Sequence, residues 1–179
     1  MPRLQSLEAT QGEPKAQEMM KQLASQKMLL NIFRGMANSP AVLDGYLKFS
    51  SALNAGKLDE KTRHAIALAV GQSNRCEYCL SAHTMLGKKA GLDDAAVRGS
   101  RLGHVADPKL NAAVGLARQL VDSKGAVSDV QVTAARAAGL SDGEIAEVVA
   151  HVGLNVFTNY FNNLNHTDVD LPKVSLEVT

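Results

Sequence analysis

Tryptophan is absent from this chain of 179 residues, and its flat side chains are limited to three Tyr and four Phe. That poverty leaves little from which to build a base-stacking surface. No basic block stands out either: nineteen Lys and Arg face eighteen Asp and Glu, for a formal charge of +1. A nucleic-acid backbone would find little to hold, so no nucleic-acid partner is expected. The longest strongly apolar stretch, Ala65-Ile66-Ala67-Leu68-Ala69-Val70, falls far short of the roughly 20 residues that cross a bilayer. The opening MPRLQSLEATQGEPK has no apolar core of signal-peptide length. No membrane association and a cytoplasmic location are therefore the expectations. Cysteine is scarce as well, and two in such a protein suggest redox catalysis or metal ligation more than a secreted disulfide framework.

What is present reads as helix. An apolar share of 45% against 21% charged residues is ordinary for a packed interior, and the length allows a substantial core. From Ala16 to about Arg34 the chain is rich in Ala, Met, Leu, Lys and Gln, good helix formers, with Leu23, Met28, Ile32 and Met36 at roughly helical spacing. Ser39-Pro40 predicts a new start, and the helix to about Asn54 is expected to bury Val42, Leu43, Tyr46, Leu47, Phe49 and Leu53. Asp59 caps a predicted helix over Glu60 to Ser73. Asn74-Arg75 is a short hinge into a helix running to about Ala90, stopped by Gly91. Shorter helices follow from Asp93 to about Gly99, from Pro108 to near Lys124-Gly125, and from Ser128 to Ala138. Ser141 and Glu144 have capping-box spacing ahead of a long helix through Asn162 or His166. Lys89-Ala90-Gly91-Leu92-Asp93 is weakly echoed by Arg136-Ala137-Ala138-Gly139-Leu140-Ser141, as in related helical units. Sustained Val/Ile/Thr alternation is scarce, so an all-α fold is expected rather than a sheet-based one. The segment from Asp168 to Thr179 reads as an arm across a neighbour or as a flexible tail.

Chemistry concentrates in Cys76-Glu77-Tyr78-Cys79-Leu80-Ser81-Ala82-His83. Steps of three and then four residues put Cys76, Cys79 and His83 on one helix face. With the helix starting near Arg75, Cys76 falls in its first turn, where free N–H groups favour a thiolate. Cys79 is within disulfide reach of Cys76, and His83 can exchange a proton with it. A thiol of pKa about 8.5 is only roughly 3% ionised at pH 7, and a shift of two units, about 2.7 kcal/mol, raises that to about 75%. A purely structural disulfide, or two unreactive buried cysteines beside a core histidine, are the plainer readings. Zinc is the chemical competitor, with Cys76, Cys79, His83 and His64 as four ligands. His104, His151 and His166 form no ligand grouping in the sequence, and His166 reads as a helix-end surface group.

These residues resemble the alkylhydroperoxidase AhpD-like branch of the carboxymuconolactone decarboxylase superfamily. The resemblance runs through Leu58 to Val70, Cys76-Glu77-Tyr78-Cys79, His83 and Lys88-Lys89-Ala90-Gly91-Leu92, with further likeness in Asn31 to Arg34, Met36 to Pro40 and Asn155 to Asn162. It implies an AhpD-like helical bundle with a CxxC-bearing central helix, formed as a single domain over 1–179. That domain would comprise an N-terminal helical extension 1–57, a CxxC core 58–103, a C-terminal helical half 104–166 and a tail 167–179. It also implies reduction of hydrogen peroxide or organic hydroperoxides, with Cys79 as the peroxidatic cysteine, Cys76 as the resolving one and His83 in the proton relay. No cofactor is implied; an external dithiol or protein reductant regenerates the thiols, and the assembly is a homotrimer or homohexamer. Position 64 departs from the family, which usually places a glutamate there after an arginine like Arg63. His64 is the expected replacement in the relay, with Glu60 and Glu77 as compensating carboxylates, although Glu77 is expected to point away from the cysteine face. Tyr78 is expected to shape the pocket or an interface. The alternatives are a disulfide reductase or thiol redox sensor without efficient peroxide turnover, and a lactone decarboxylase using an acid–base pocket. Finally, five asparagines between Asn155 and Asn165 are more amides than a simple core helix needs, and point to an intersubunit or pocket-facing helix.

Overall fold

Burial is concentrated on one helix. In the computed structural model, which describes residues 1–178, every residue from Ala65 to Gly71 is buried. They belong to α4 (Glu60–Ser73), whose first turn is capped by the Asp59 carboxylate accepting from Thr62 N at 2.7 Å. The alternating alanines at 65, 67 and 69 let neighbours approach closely on all sides. α4 thereby packs against α5 (Glu77–Lys89), α6 (Asp94–Leu102), α7 (Pro108–Asp122) and α9 (Asp142–Asn165). Ile66 and Val70 join Leu116, Leu120, Val148 and Val152 on one side, with Ala135 of α8 (Asp129–Ala137) closing that cluster. Leu68 and Ala69 meet Leu80, Val97 and Val114 on the other. A further cluster draws Met20, Phe33 and Leu43 from α1 (Pro14–Ser25), α2 (Asn31–Met36) and α3 (Pro40–Asn54) onto Tyr78 and both cysteines. The fold is all-α, with no strand among the described residues, and no helix there is long and apolar enough to cross a membrane.

Several expected boundaries hold for the expected reasons. Ser141 and Glu144 form the capping box of α9, and Gly91 and Gly139 follow helix ends at positive φ. Others move. The single helix expected from Ala16 to Arg34 is split: Lys27 turns left-handed (φ 58°), the chain crosses Met28–Leu30, and α2 starts anew at Asn31. Met28 consequently lies half exposed rather than in the buried stripe, and Phe49 on α3 is also exposed. α6 runs on to Leu102 and stops at Gly103 (φ 89°), beyond the expected end near Gly99. Cys76 is the N-cap of α5, one position ahead of the first turn in which the sequence placed it.

The expected arm or free tail is neither. After His166, at φ 51°, the chain turns back along its own helices. Asp170 accepts from Asn31 N (2.9 Å) and from the Tyr78 hydroxyl (2.8 Å), so it caps α2 from 139 residues away. Val174 N donates to Ser81 Oγ. The buried Arg101 donates to Gln72 and to the carbonyls of Ser175 and Leu176, while Val174 and Leu176 pack on the α4 core. Two-point anchoring by one carboxylate explains why α2 forms without a local cap. Thr179, the last residue of the expected tail, lies outside the described residues.

Replacing Asp170 with alanine is expected to destabilise the protein by about 1–2 kcal/mol, through loss of a cap and of the Tyr78 partner. Asp168→Ala, whose carboxylate makes only a long contact with the N-terminal amine, is expected to stay within about 0.5 kcal/mol. Urea midpoints of the two variants check this, and equal values would remove Asp170 from the clamp.

Candidate functional site

The turn from α4 to α5 sets the site. Asn74 ends α4, and Arg75 takes a left-handed φ of 51° although it is not glycine. Two asparagines of α9 pin this turn: Asn74 Nδ2 donates to Asn159 Oδ1 at 3.0 Å, and Asn163 Nδ2 donates to the Asn74 carbonyl at 2.8 Å. Cys76 and Cys79 are joined as a disulfide at the start of α5, with Cα atoms 5.3 Å apart. Cys76 is fully buried and takes the N-cap role, its sulfur accepting from Cys79 N at 3.2 Å. Cys79 instead forms part of the wall of a cavity of about 470 Å³.

That cavity is bounded by α2 to α5 and α9. Phe33, Tyr46 and Leu154 give it apolar walls, and Arg63, His64, His83 and His151 give it polar ones. His64 and His83 meet across the α4–α5 interface with Nδ1 atoms 3.1 Å apart, and Glu60 Oε1 lies 3.7 Å from His64 Nε2. A short Nδ1–Nδ1 contact requires one nitrogen to carry the proton and the other to accept it. The Glu60 carboxylate favours the proton of His64 on Nε2, which leaves His64 Nδ1 as acceptor and His83 Nδ1 as donor. His83 Nε2 is then the free base of the pair. Burial, reinforced by the neighbouring His64 and His151, pushes His83 down to about 3. His151 is brought to about 4 by burial and then by Arg63, and His64 is lowered by burial against the opposing pull of Glu60. Near pH 7 all three are neutral imidazoles, suited to passing protons. Tyr78, raised by burial and by its bond to Asp170, remains a phenol.

The structure therefore brings Cys79, His64 and His83 to one cavity, with Cys76 bonded behind Cys79. The four side chains that a competing zinc site would use do not share that wall, because Cys76 is not among the cavity residues. Glu60 lies beside His64 as a compensating carboxylate would. Glu77 points elsewhere, into a separate cleft with Arg75, His166 and Lys173. His104 and His166 are exposed and lie outside the cavity. Sequence reasoning passed over His151. It also read the asparagines of α9 only as a group, whereas Asn155 and Asn162 alone of the five line the cavity. A signal was available: His151, Asn155, Thr158 and Asn162 step by four, three and four, a buried polar stripe along one face of the helix.

Comparison with known proteins agrees with this architecture. Residues 40–122 match the carboxymuconolactone decarboxylase family. An uncharacterized protein of Haemophilus influenzae is 49% identical over 45 residues, a match spanning 25% of this chain and 40% of that relative's length. An uncharacterized peroxidase-related protein with an alkylhydroperoxidase AhpD core, from Ralstonia eutropha JMP134, superposes with a TM-score of 0.84 at 18% identity, covering 94% of this chain and 92% of its own. A peroxidase-related protein from Silicibacter sp. TM1040 gives 0.76 at 16% identity over 98% and 96% of the two chains. The debrominase Bmp8, solved as its C82A variant with 2,3,4-tribromopyrrole, gives 0.73 at 18% identity over 94% and 90%.

The lowered histidines fix a pH dependence of stability. An unfolded chain binds protons near pH 6.5 that the folded His83 and His151 refuse until about 3 and about 4. Their contribution is complete above about pH 6.5 and is lost as pH falls below it. Urea midpoints between pH 7 and pH 4 are expected to fall less steeply in His83→Gln and His151→Gln than in the parent chain; parallel curves would show that these imidazoles are not held neutral.

Proposed function

We propose that this chain, whose residues 40–122 match the carboxymuconolactone decarboxylase family, is a thiol-dependent peroxidase. It reduces hydrogen peroxide or organic hydroperoxides through a Cys76–Cys79 disulfide cycle. The observation that carries this reading is the placing of a disulfide-forming cysteine, Cys79, on the wall of a cavity that also holds the His64–His83 pair.

In the reduced protein the Cys79 proton leaves through the neutral His83–His64 pair, and the thiolate attacks the hydrogen-bearing oxygen of the peroxide. The S–O bond forms as the O–O bond breaks, and the leaving alkoxide or hydroxide takes up the proton passed through that pair. Cys79 is then a sulfenic acid. Cys76, three residues away and shielded from solvent, attacks its sulfur, releases water and closes the disulfide. An external dithiol or protein reductant restores both thiols, in keeping with a cytoplasmic setting. His64 stands where the family's glutamate would, and Glu60 supplies the negative charge one turn away. The exposed face of α9, with Phe157, Tyr160 and Leu164 at 39%, 61% and 58% exposure, supports a homotrimer or homohexamer.

The apolar, partly aromatic cavity wall favours a second reading, in which Cys79 removes a halogen from an aromatic ring as the name debrominase states for Bmp8. There the two thiols would reduce the aryl bromide to the arene, giving the disulfide and hydrogen bromide.

Peroxide consumption with a supplied dithiol is expected for the parent chain and is expected to vanish in Cys79→Ser. Cys76→Ser is expected to accumulate a sulfenic acid at Cys79, seen by intact mass after dimedone labelling. Trapping at Cys76 in the reciprocal variant would reverse the two roles, and no disulfide after peroxide treatment would sink the peroxidase reading. Bromide release without peroxide turnover would favour the second. His64→Gln is expected to lower kcat/KM by about 10²-fold, the usual worth of a positioned acid or base; an unchanged pH–rate profile would leave His64 a structural residue.

A further inference from the structure

Asn162 is a buried amide with almost nothing to bond. It is 3% exposed, and its Nδ2 donates to Cys79 Sγ at 3.3 Å, while its Oδ1 has no hydrogen-bond partner among the described residues. A disulfide sulfur is a weak acceptor, so this side chain is close to unserved. Its neighbours on α9 have structural work: Asn163 pins the α4–α5 turn, and Asn165 binds Leu4 N and Thr167 Oγ1. A buried amide left without partners costs about 1–3 kcal/mol, and such exceptions call for an explanation beyond packing.

The explanation lies in what Cys79 lacks. The N-terminus of α5 serves Cys76, whose sulfur occupies the N-cap and receives Cys79 N. Cys79, three residues on, needs a donor from another element. The ionisable groups around the cavity, besides Cys79 itself, are Tyr46 of α3, Glu60, Arg63 and His64 of α4, Tyr78 and His83 of α5, and His151 of α9; burial holds Tyr46 as a phenol. The imidazoles are neutral, the Tyr78 hydroxyl donates to Asp170, and Arg63 Nη1 donates to the Leu58 carbonyl at 2.6 Å. Among the described residues, Asn162 Nδ2 is the one side-chain donor on the Cys79 sulfur. On reduction that contact becomes an N–H to thiolate hydrogen bond, charge-assisted and roughly twice as strong as a neutral one.

Resting on the thiol-peroxidase reading above, we propose that Asn162 is a catalytic residue that holds both reactants: its amide N–H stabilises the Cys79 thiolate, and its carbonyl oxygen receives the O–H of the incoming hydroperoxide. That O–H is carried by the oxygen under attack, so a single planar amide aligns nucleophile and electrophile. In the step itself sulfur supplies the electron pair, the S–O bond forms and the O–O bond breaks. The peroxide hydrogen stays on the transferred oxygen, and the alkoxide takes up the proton given up by the thiol, passed through the neutral His83–His64 pair. Asn162 neither gains nor loses a proton. It lies outside residues 40–122, so the donor comes from the part of the chain beyond the family match.

The test separates the hold on sulfur from peroxide turnover. In a Cys76→Ser background, the rate of Cys79 alkylation by iodoacetamide is followed against pH, which needs no peroxide. Asn162→Leu, of similar shape and without hydrogen-bonding groups, is expected to raise the apparent thiol pKa by about one unit, a tenfold loss of thiolate at neutral pH. Asn162→Ala reads the same shift should the leucine variant fail to fold. An unshifted titration in a variant with parental melting temperature overturns the proposal, whatever the peroxidase assay shows. Turnover of an alkyl hydroperoxide is then compared, with Cys76 intact, at a pH where parent and variant thiols are both ionised. A residual loss of about tenfold or more in kcat/KM is expected from the missing Oδ1 contact, and its absence overturns the substrate half. If the parent chain turns over no hydroperoxide while the titration still shifts, the peroxidase reading fails and the thiolate contact stands.

Discussion

The left-handed residue between α4 and α5 is the constraint on which the site depends. A helix pair joined by so tight a turn has little freedom in its relative rotation, and Asn159 and Asn163 remove more by fastening the turn to α9. With that rotation fixed, His64 falls opposite His83 and Cys79 faces the cavity. Loosening the turn would separate the two rings before it disturbed any part of the apolar core. The polar contacts around Asn74 therefore act on geometry more than on stability, since the buried faces of α4 already supply the cohesion.

Two kinds of helix meet at the cavity. α4 and α5 carry the thiols and the imidazole pair, and their own sequence specifies them: apolar runs, caps and the three-then-four spacing. α2, α3 and α9 bring the apolar walls, His151 and the amides, and they are held there by long-range contacts, including the Asp170 clamp on α2 and Tyr78. The chemistry and its enclosure thus have separate structural origins, and a change in one helix set can leave the other intact.

This division also explains what the sequence could tell. The all-α class, the caps at Asp59, Ser128 and Ser141 and the C-x-x-C face were legible because each rests on residues within a turn or two of one another, whereas the oddity of His64 showed only through the family resemblance. The break after Ser25 was not, because the residues Gln26 to Leu30 carry no glycine or proline, and the start of α2 relies on a carboxylate far along the chain. Cys76 was misplaced by one position for a related reason: the cap assignment depends on Arg75 adopting a backbone conformation its side chain does not advertise. His151 escaped because polar residues in a helix usually face water, and Asn162 was read only as one of a group of amides. Only their common period, and the depth at which the fold sets α9, show that they face inward.

The complete burial of Cys76 has a kinetic consequence. Of the two bonded sulfurs only that of Cys79 meets the cavity, so in the proposed peroxidase cycle an attacking reductant thiol enters by the cavity that admits the peroxide. Oxidant and reductant then occupy the same space in alternation, a double-displacement scheme in which an excess of either competes with the other. Under that proposed cycle size would filter both half-reactions at once, one enclosure selecting the molecule to be reduced and the thiol that reopens the disulfide.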